Sequence, residues 1–304
     1  MSVWSAAHRC AFRALRPLSP GARAARPAET QDAAGAADRV QCPGVVFPDG
    51  PLHAVGHYEA PVLVMGLPRA HVQAWLPRAL SLDAQDLMPE REHPVMFLLG
   101  RHRHVRPSFL HDTGGSYWEF VTAIPYLRHS CRGSAYSAPF AYMPRLYLSS
   151  WLFVVLGWFY GYAKCRGRIR GDAAAYSVRS LLAAKPLVSA RFLETGRAGP
   201  ALDFPHFRRL AGAFRQPFVG KLAVTPYLCS ILDFQLERAT LQPLTAELRI
   251  ETPFLPGLPA EARWPQGIDA APLGAFRISM PWTLSPPLPC CELQPAPTGT
   301  RTGS

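Results

Sequence analysis

The sequence predicts a mainly β domain with few helices, built as a barrel or a sandwich. Its 304 residues include 32 prolines, about twice the average share of ~5% in proteins. These prolines recur between short apolar runs, which favours strands and loops because proline interrupts long helices and central strands. Few of the runs show a helical period and turn residues separate them, as is typical of barrels and sandwiches.

The first elements of the domain are short strands and one amphipathic helix. Val62–Met65 is a short apolar run and is predicted as a strand. Pro68–Leu80 is predicted as a helix because four apolar residues, beginning with Val72, fall on one stripe. Pro94–Gly100 has the composition of a buried strand, and Tyr117–Leu127 is predicted as a strand that carries a single acid.

The second half of the chain contains further segments of strand length without a strong helical period. Phe207–Phe214 is the exception and is predicted as a short helix. The predicted strands are Pro186–Glu194, Lys221–Thr225, Tyr227–Glu237, Thr245–Glu251 and Gly274–Met280.

Three regions follow from composition. Residues 1–41 are predicted as an arginine-rich extension, either a transit peptide or a disordered leader, because the first 28 residues contain five arginines and no acid. Residues 42–283 form the predicted β domain. Residues 284–304 are rich in proline and small polar residues and are predicted as a disordered tail. The expected location is the cytoplasm or the mitochondrion.

The charge and the cysteines limit the possible partners. The net charge is +11, but the arginines are scattered among acids, whereas a nucleic-acid site clusters its charge, so no nucleic-acid partner is expected. His102 and His104 alternate as two metal ligands on a strand would, yet neighbouring arginines repel a cation and no metal is expected. Seven cysteines without a CxxC pair predict free thiols in a reduced compartment.

The longest uncharged run of the chain, Leu146–Ala163, ends at Lys164, one of only three lysines. This run is long enough for a short membrane span, and its aromatic residues and basic flank suit one. Its serines, its glycines and its β-branched and aromatic content favour instead a buried wall of strand character. We therefore expect no membrane span.

Lys164 and Glu119 are each a lone charge in an apolar run, which predicts that both face one pocket. A lysine out of water loses its proton more easily. The neutral amine then forms an imine with a ketone, and the protonated imine withdraws electrons from a neighbouring C–C bond. From the residues alone, a buried or edge salt bridge stays an open alternative.

Four motifs carry a resemblance to a known family. YGYAK ends at Lys164, YWEFVTAIPY contains Glu119, HDTGG covers His111–Gly115, and PDGP covers Pro48–Pro51. Their order and spacing resemble those of the acetoacetate decarboxylase family. The resemblance implies a closed or cone-like antiparallel β-barrel, in which Lys164 forms a Schiff base and Glu119 is the active-site glutamate.

The resemblance also implies a reaction and a set of surroundings for the lysine. It implies a decarboxylase that acts on a β-keto acid or a related oxo acid, needs no cofactor because the imine takes up the electrons, and assembles as a homo-oligomer. The expected substrate-binding residues are Tyr162, His57 and Arg166. Cys165 and Leu98 stand where the family has a second lysine and a second glutamate. A non-catalytic binding protein with the same pocket, holding a small hydrophobic or oxo-acid ligand, is the alternative.

Overall fold

Most of the chain forms strands that close into a barrel. The computed structural model describes residues 46–47, 53–110, 114–131, 134–181, 185–221 and 226–295. The strands are β1 (Ala54–Pro68), β2 (Leu80–Leu82), β3 (Glu92–Pro107), β4 (Gly115–His129), β5 (Phe140–Leu148), β6 (Lys164–Gly171), β7 (Ala175–Ser180), β8 (Val188–Glu194), β9 (Gly199–Pro200), β10 (Phe218–Gly220), β11 (Leu228–Ser230), β12 (Leu232–Phe234), β13 (Thr240–Ile250), β14 (Glu261–Trp264), β15 (Ala275–Leu284) and β16 (Leu288–Pro289). The helices are α1 (Arg69–Gln73), α2 (Trp151–Phe159) and α3 (Pro205–Phe214).

Nine of these strands form the closed ring, in the order β5, β6, β7, β8, β13, β15, β1, β3, β4 and back to β5. The mainly β class and the closed barrel are therefore confirmed. The prediction of an antiparallel barrel is wrong at one place, because β5 and β6 run parallel. Parallel neighbours need a crossover connection, and α2 forms part of that connection.

Two hydrophobic cores lie on the two faces of the sheet. All nine ring strands contribute to the first core, which therefore fills the barrel interior. Trp118 on β4 and Tyr176 on β7 contact each other at 5.9 Å between ring centroids, although two strands separate them in the sheet. The second core lies on the outward face of β1, β3, β4, β5, β13 and β15, and residues of α2 and α3 pack onto it. None of its residues comes from β6, β7 or β8.

The predicted helix over Pro68–Leu80 is wrong beyond its first turn. α1 ends at Gln73 and is followed by a turn, and Leu80 begins β2. The apolar stripe is nevertheless buried, because Val72 and Trp75 enter the interior core. The indole N–H of Trp75 donates to the carbonyl of Pro256, 2.9 Å away.

The interpretation of Leu146–Ala163 as one buried wall is also wrong. β5 ends at Leu148, and the nine residues of α2 follow it. No helix in the described part of the chain is long and apolar enough to cross a membrane. A run that is apolar on every side has no periodicity that separates strand from helix, so the sequence could not resolve this boundary.

The other predicted elements agree with the structure in most cases. The predicted helix Phe207–Phe214 lies within α3, and predicted strand segments overlap β1, β3, β4, β8, β13 and β15. The segment Tyr227–Glu237 is divided between two short strands, β11 and β12. β10 ends just before the predicted strand Lys221–Thr225, most of which lies outside the described residues. The sequence predicts no strand at β2, β6, β7, β9, β10, β14 or β16.

Cysteines fix the end of the described chain. Cys131 bonds to Cys291 and Cys229 bonds to Cys290, with Cα–Cα separations of 5.4 and 4.8 Å. The prediction of free thiols is wrong for these four residues and for Cys165, which is also disulfide-bonded. Because β16 and the bonded cysteines follow residue 284, ordered structure extends further than the predicted boundary at 283. The predicted extension over residues 1–41 lies outside the described residues.

Candidate active site

Lys164 is the first residue of β6 and lies directly under α2. Its backbone N–H donates to the carbonyl of Tyr162 at 2.8 Å, and its carbonyl accepts a hydrogen bond from the indole of Trp158 at 3.0 Å. The side chain points to the outward face of the sheet, since Cys165, the next residue, is in the interior core. Lys164 is half-buried.

A glycine in α2 makes room for the lysine side chain. A Cβ atom at Gly157 would lie 2.9 Å from Nζ of Lys164 and closer still to its Cδ and Cε. Real Cβ atoms do not approach other atoms this closely, so any side chain at position 157 would displace the lysine. The methylene groups of Lys164 therefore lie against the backbone of α2.

The surroundings of the amine favour its neutral form. Burial lowers the pKa of Lys164, and the negative charge of Glu119 opposes this effect without cancelling it. The ring of Tyr162 lies beside the amine, with its centroid 5.7 Å from Nζ. Tyr162 itself is buried. The structure thus brings Lys164, Glu119 and Tyr162, three of the predicted site residues, to the same face.

Glu119 reaches this face from β4, on the other side of β5. Glu119 lies opposite Leu148 of β5, and Lys164 lies opposite Leu146 of the same strand. Residues two apart on a strand point to one side, so Leu146 and Leu148 share a face of β5. Lys164 and Glu119, which lie opposite them, therefore both project outward and are offset by two residues along β5. Glu119 is buried, with 8% of its surface exposed.

The carboxylate of Glu119 stays ionised although it is buried. Burial raises the pKa of Glu119, but the neighbouring His102, the charge of Lys164 and the Tyr58 hydroxyl together hold that pKa below its usual value. Nε2 of His102 lies 3.0 Å from Oε1 of Glu119. The Tyr58 hydroxyl faces the carboxylate without forming a hydrogen bond of standard geometry.

His102 is a residue of this site that sequence reasoning missed. It is 5% exposed, and its ring lies between those of Tyr58 and Tyr117, with centroid distances of 4.4 and 4.8 Å. An ionised Glu119 only accepts hydrogen bonds, so Nε2 of His102 carries the proton. Nδ1 is buried and has no hydrogen-bond partner among the described residues.

Tyrosines enclose the carboxylate with neutral groups. Burial and the nearby charge of Glu119 raise the pKa values of Tyr58, Tyr117 and Tyr176 well above their usual values. The hydroxyl of Tyr176 donates to the backbone carbonyl of Glu119 from the barrel interior. The backbone at Glu119 is thereby held from one face of the sheet while its carboxylate is held from the other.

The structure does not bring His57 or Arg166 to this cluster. His57 precedes Tyr58, which faces Glu119, so His57 points away from it. It borders a separate depression of about 290 Å³ with His104, and its pKa is lowered chiefly by burial. Arg166 shares the outward face with Lys164 but is exposed.

The remaining motif residues lie elsewhere or are not described. Leu98 belongs to the outward core. A bulge between His102 and Val105 separates His102 from His104, so the two do not act as paired ligands. Among the described residues, no group of three or more His, Cys, Asp or Glu could hold a metal ion. The segments Pro48–Pro51 and 111–113 lie outside the described residues.

Comparisons with known proteins identify the fold. No protein-family model and no curated protein matches the chain. Among solved structures, the enduracididine biosynthesis enzyme MppR complexed with pyruvate has a TM-score of 0.56 at 13% identity, over 79% of this chain and 91% of that one. An acetoacetate decarboxylase-like enzyme from Sphingomonas wittichii RW1 has a TM-score of 0.52 at 14% identity, over 79% and 94%. A structure of acetoacetate decarboxylase has a TM-score of 0.50 at 14% identity, over 83% and 93%.

The chain has the acetoacetate decarboxylase-like fold. It is a divergent example, because identities of 13 to 14% establish a common architecture and nothing about the reaction. The resemblance of the sequence motifs and the similarity of the structures agree with each other. What the acetoacetate decarboxylase-like fold does in this chain depends on the residues around Lys164.

Replacing Gly157 by alanine tests whether the glycine positions the amine. Alanine improves the intrinsic helix propensity by about 1 kcal/mol, so a loss of function would not come from weakening α2. We expect Gly157→Ala to reduce reductive methylation of Lys164 at neutral pH several-fold relative to Lys185, measured by peptide mass spectrometry, because the displaced amine meets water and keeps its proton.

The matched control is Gly199→Ala. A Cβ at Gly199 would meet only ordinary contacts, the nearest at 3.6 Å from Phe204. This variant should methylate like the parent protein. Equal methylation of Lys164 in the parent and in Gly157→Ala would show that the glycine does not set the position of the amine.

Proposed function

We propose that the protein is a Schiff-base-forming lyase that decarboxylates a β-keto acid or a related oxo acid through Lys164. The observation that carries the proposal is an amine of lowered pKa and an ionised carboxylate on one face of an acetoacetate decarboxylase-like fold. An enzyme that makes imines needs a neutral amine at working pH and a group that moves protons beside it.

The reaction begins at the amine. Neutral Lys164 attacks the ketone carbon, and the resulting carbinolamine loses water to give a protonated imine. The bond between the α-carbon and the carboxylate then breaks, CO2 leaves, and the electron pair moves into the imine to form an enamine. A proton adds to the α-carbon, and water hydrolyses the imine, which releases the ketone and restores the amine. Atoms and electrons balance without a redox cofactor.

Glu119 moves the protons in this proposal. Its carboxylate takes a proton as the carbinolamine forms and returns one to the α-carbon of the enamine. His102 donates its Nε2–H to that carboxylate and fixes its orientation, and the neutral hydroxyl of Tyr58 faces it. Tyr162 covers one side of the amine with its ring.

Two solved structures support an oxo acid as the substrate class. The MppR structures hold pyruvate in one case and the condensation product of pyruvate and imidazole 4-carboxaldehyde in the other, with TM-scores of 0.56 and 0.51 to this chain. Both ligands derive from an oxo acid with a ketone that an amine can attack. Homo-oligomeric assembly, implied by the sequence resemblance, stays a prediction.

A binding protein with the same fold is the second candidate. The observation that favours it is the loss of charged groups near the amine: Leu98 is part of an apolar core, and Cys165 points into the barrel interior. Such a protein would hold an oxo acid or a hydrophobic ligand without turning it over.

Borohydride reduction in the presence of oxo acids tests imine formation. We expect reduction with acetoacetate, pyruvate or a longer β-keto acid to leave a stable adduct on Lys164, identified by peptide mass spectrometry, because the lowered pKa increases the share of neutral amine. Lys185→Arg should keep the adduct and Lys164→Arg should lose it. An adduct of equal yield in Lys164→Arg would refute the proposed mechanism.

Glu119→Gln separates imine formation from turnover. Glutamine keeps the size and the hydrogen-bonding capacity but cannot carry a proton, and general acid–base catalysis typically contributes about 10²- to 10⁴-fold. We expect CO2 release to fall by about that factor while the borohydride adduct on Lys164 still forms. Adduct formation without CO2 release in the parent protein, across the whole panel of β-keto acids, would favour the binding protein.

A further inference from the structure

α2 and the outward side of β6, β7 and β8 form one uncovered face, which we call the arginine face. Inward side chains of these strands fill the barrel, so every second residue points outward. No residue of β6, β7 or β8 belongs to the outward core, although α2 lies beside β6. The outward side of these strands therefore lies outside the second core, and its arginines are exposed.

Five exposed arginines project from these strands: Arg166, Arg168, Arg170, Arg179 and Arg191. None of them takes part in the salt bridges formed among the described residues. The outward positions of the three strands contain no Asp or Glu. Arg168 lies directly opposite Arg179, and like charges in this arrangement destabilise a sheet. Arginines that are scattered along the sequence are thus gathered by strand pairing into one positive surface, at whose edge Glu247 of β13 lies opposite Arg191.

The same face exposes large apolar side chains. Six of the nine exposed large hydrophobic residues in the described part of the chain lie on it or at its edge. Four are on α2 and two are at the end of β7 and on β8: Trp151 (53% exposed), Leu152 (61%), Leu156 (43%), Phe159 (72%), Leu181 (46%) and Leu193 (69%). Isolated exposed hydrophobic residues are ordinary, but a group of this size marks a binding surface.

We propose that the arginine face binds the surface of an anionic lipid bilayer. In this arrangement the apolar side of α2 enters the boundary between headgroups and acyl chains, and the arginines contact anionic headgroups. Aromatic and aliphatic side chains beside a set of basic residues are the pattern of helices that lie in a membrane interface. A helix of nine residues lies on a bilayer and does not span it.

Charge complementarity decides between a lipid surface and a second copy of the chain. A two-fold symmetric dimer through this face would bring the five arginines of one copy towards those of the other, and no acid on the outward side of these strands would neutralise them. A nucleic acid would satisfy the arginines but would leave the apolar side of α2 in water. An anionic bilayer satisfies both parts of the face.

Vesicle co-sedimentation of the purified full chain tests the proposal. The vesicles contain phosphatidylcholine alone or with about 30 mol% phosphatidylserine, in about 0.1 M salt. We expect binding to the anionic vesicles, which about 0.5 M salt weakens because the Debye length shortens. Arg168→Glu/Arg179→Glu should bind on the order of a hundredfold more weakly, and Leu152→Ser/Phe159→Ser also on the order of a hundredfold more weakly.

Matched controls separate this face from the net charge of the protein. Arg78 and Arg91 are exposed and form no salt bridge among the described residues. Arg78→Glu/Arg91→Glu changes the net charge equally and should bind like the parent. All altered side chains are exposed, so unfolding temperatures should match.

Three outcomes would overturn the proposal. The first is equal binding of the parent to both kinds of vesicle. The second is an equal loss in the control variant, which would mean attraction by net charge alone. The third is a dimer that Leu152→Ser/Phe159→Ser dissociates while lipid binding is absent, which would assign the face to a second copy of the chain.

Discussion

The candidate site depends on the packing of one lysine side chain against the backbone of α2. Gly157 has no side chain, so the methylene groups of Lys164 occupy the space that a Cβ atom would need. This contact withdraws the amine from water, and the cost of burying a charge lowers its pKa. The crossover through α2 places β6 parallel to β5 and begins it under the helix. The crossover through α2 therefore determines both the position of Lys164 in the fold and the lowered pKa of its amine.

The buried carboxylate is the second constraint. Removing an ion from water costs several kcal/mol after relaxation, and only good hydrogen-bonding geometry offsets that cost. Glu119 accepts a hydrogen bond from His102. The neighbouring charge of Lys164 and the facing hydroxyl of Tyr58 also lower its pKa. Tyr176 holds the same residue by its backbone from the barrel interior. These contacts keep the carboxylate ionised beside an amine whose pKa is lowered, which is the pairing that proton transfer during imine chemistry requires.

Much of the fold and the centre of the site could be predicted from the sequence. Strand character was visible in short apolar runs between prolines, and Lys164 and Glu119 were visible as lone charges in apolar surroundings. His102 was not, because its place beside Glu119 depends on the register between β3 and β4, a pairing between distant segments. His57 points away from the cluster for a related reason, since a step of one residue along a strand turns a side chain to the opposite face.

Other features depend on pairing and exposure, which composition does not reveal. The arginines that seemed scattered occupy alternate positions on neighbouring strands and so gather on one side. The run before Lys164 is apolar on every side, so its sequence has no periodicity that separates a strand from a helix. Only the three-dimensional structure shows that it divides into β5 and α2. One side of α2 desolvates the amine of Lys164, and the other side is exposed.

The most direct measurement is the titration of the three lysines of the chain in one folded sample. Competitive acetylation across a pH series, read by mass spectrometry for each peptide, gives the pH at which each amine becomes reactive. The account predicts that Lys164 reacts at a clearly lower pH than the exposed Lys185. A midpoint for Lys164 near the usual lysine pKa of ~10.4 would contradict the claim that the fold makes Lys164 a nucleophile.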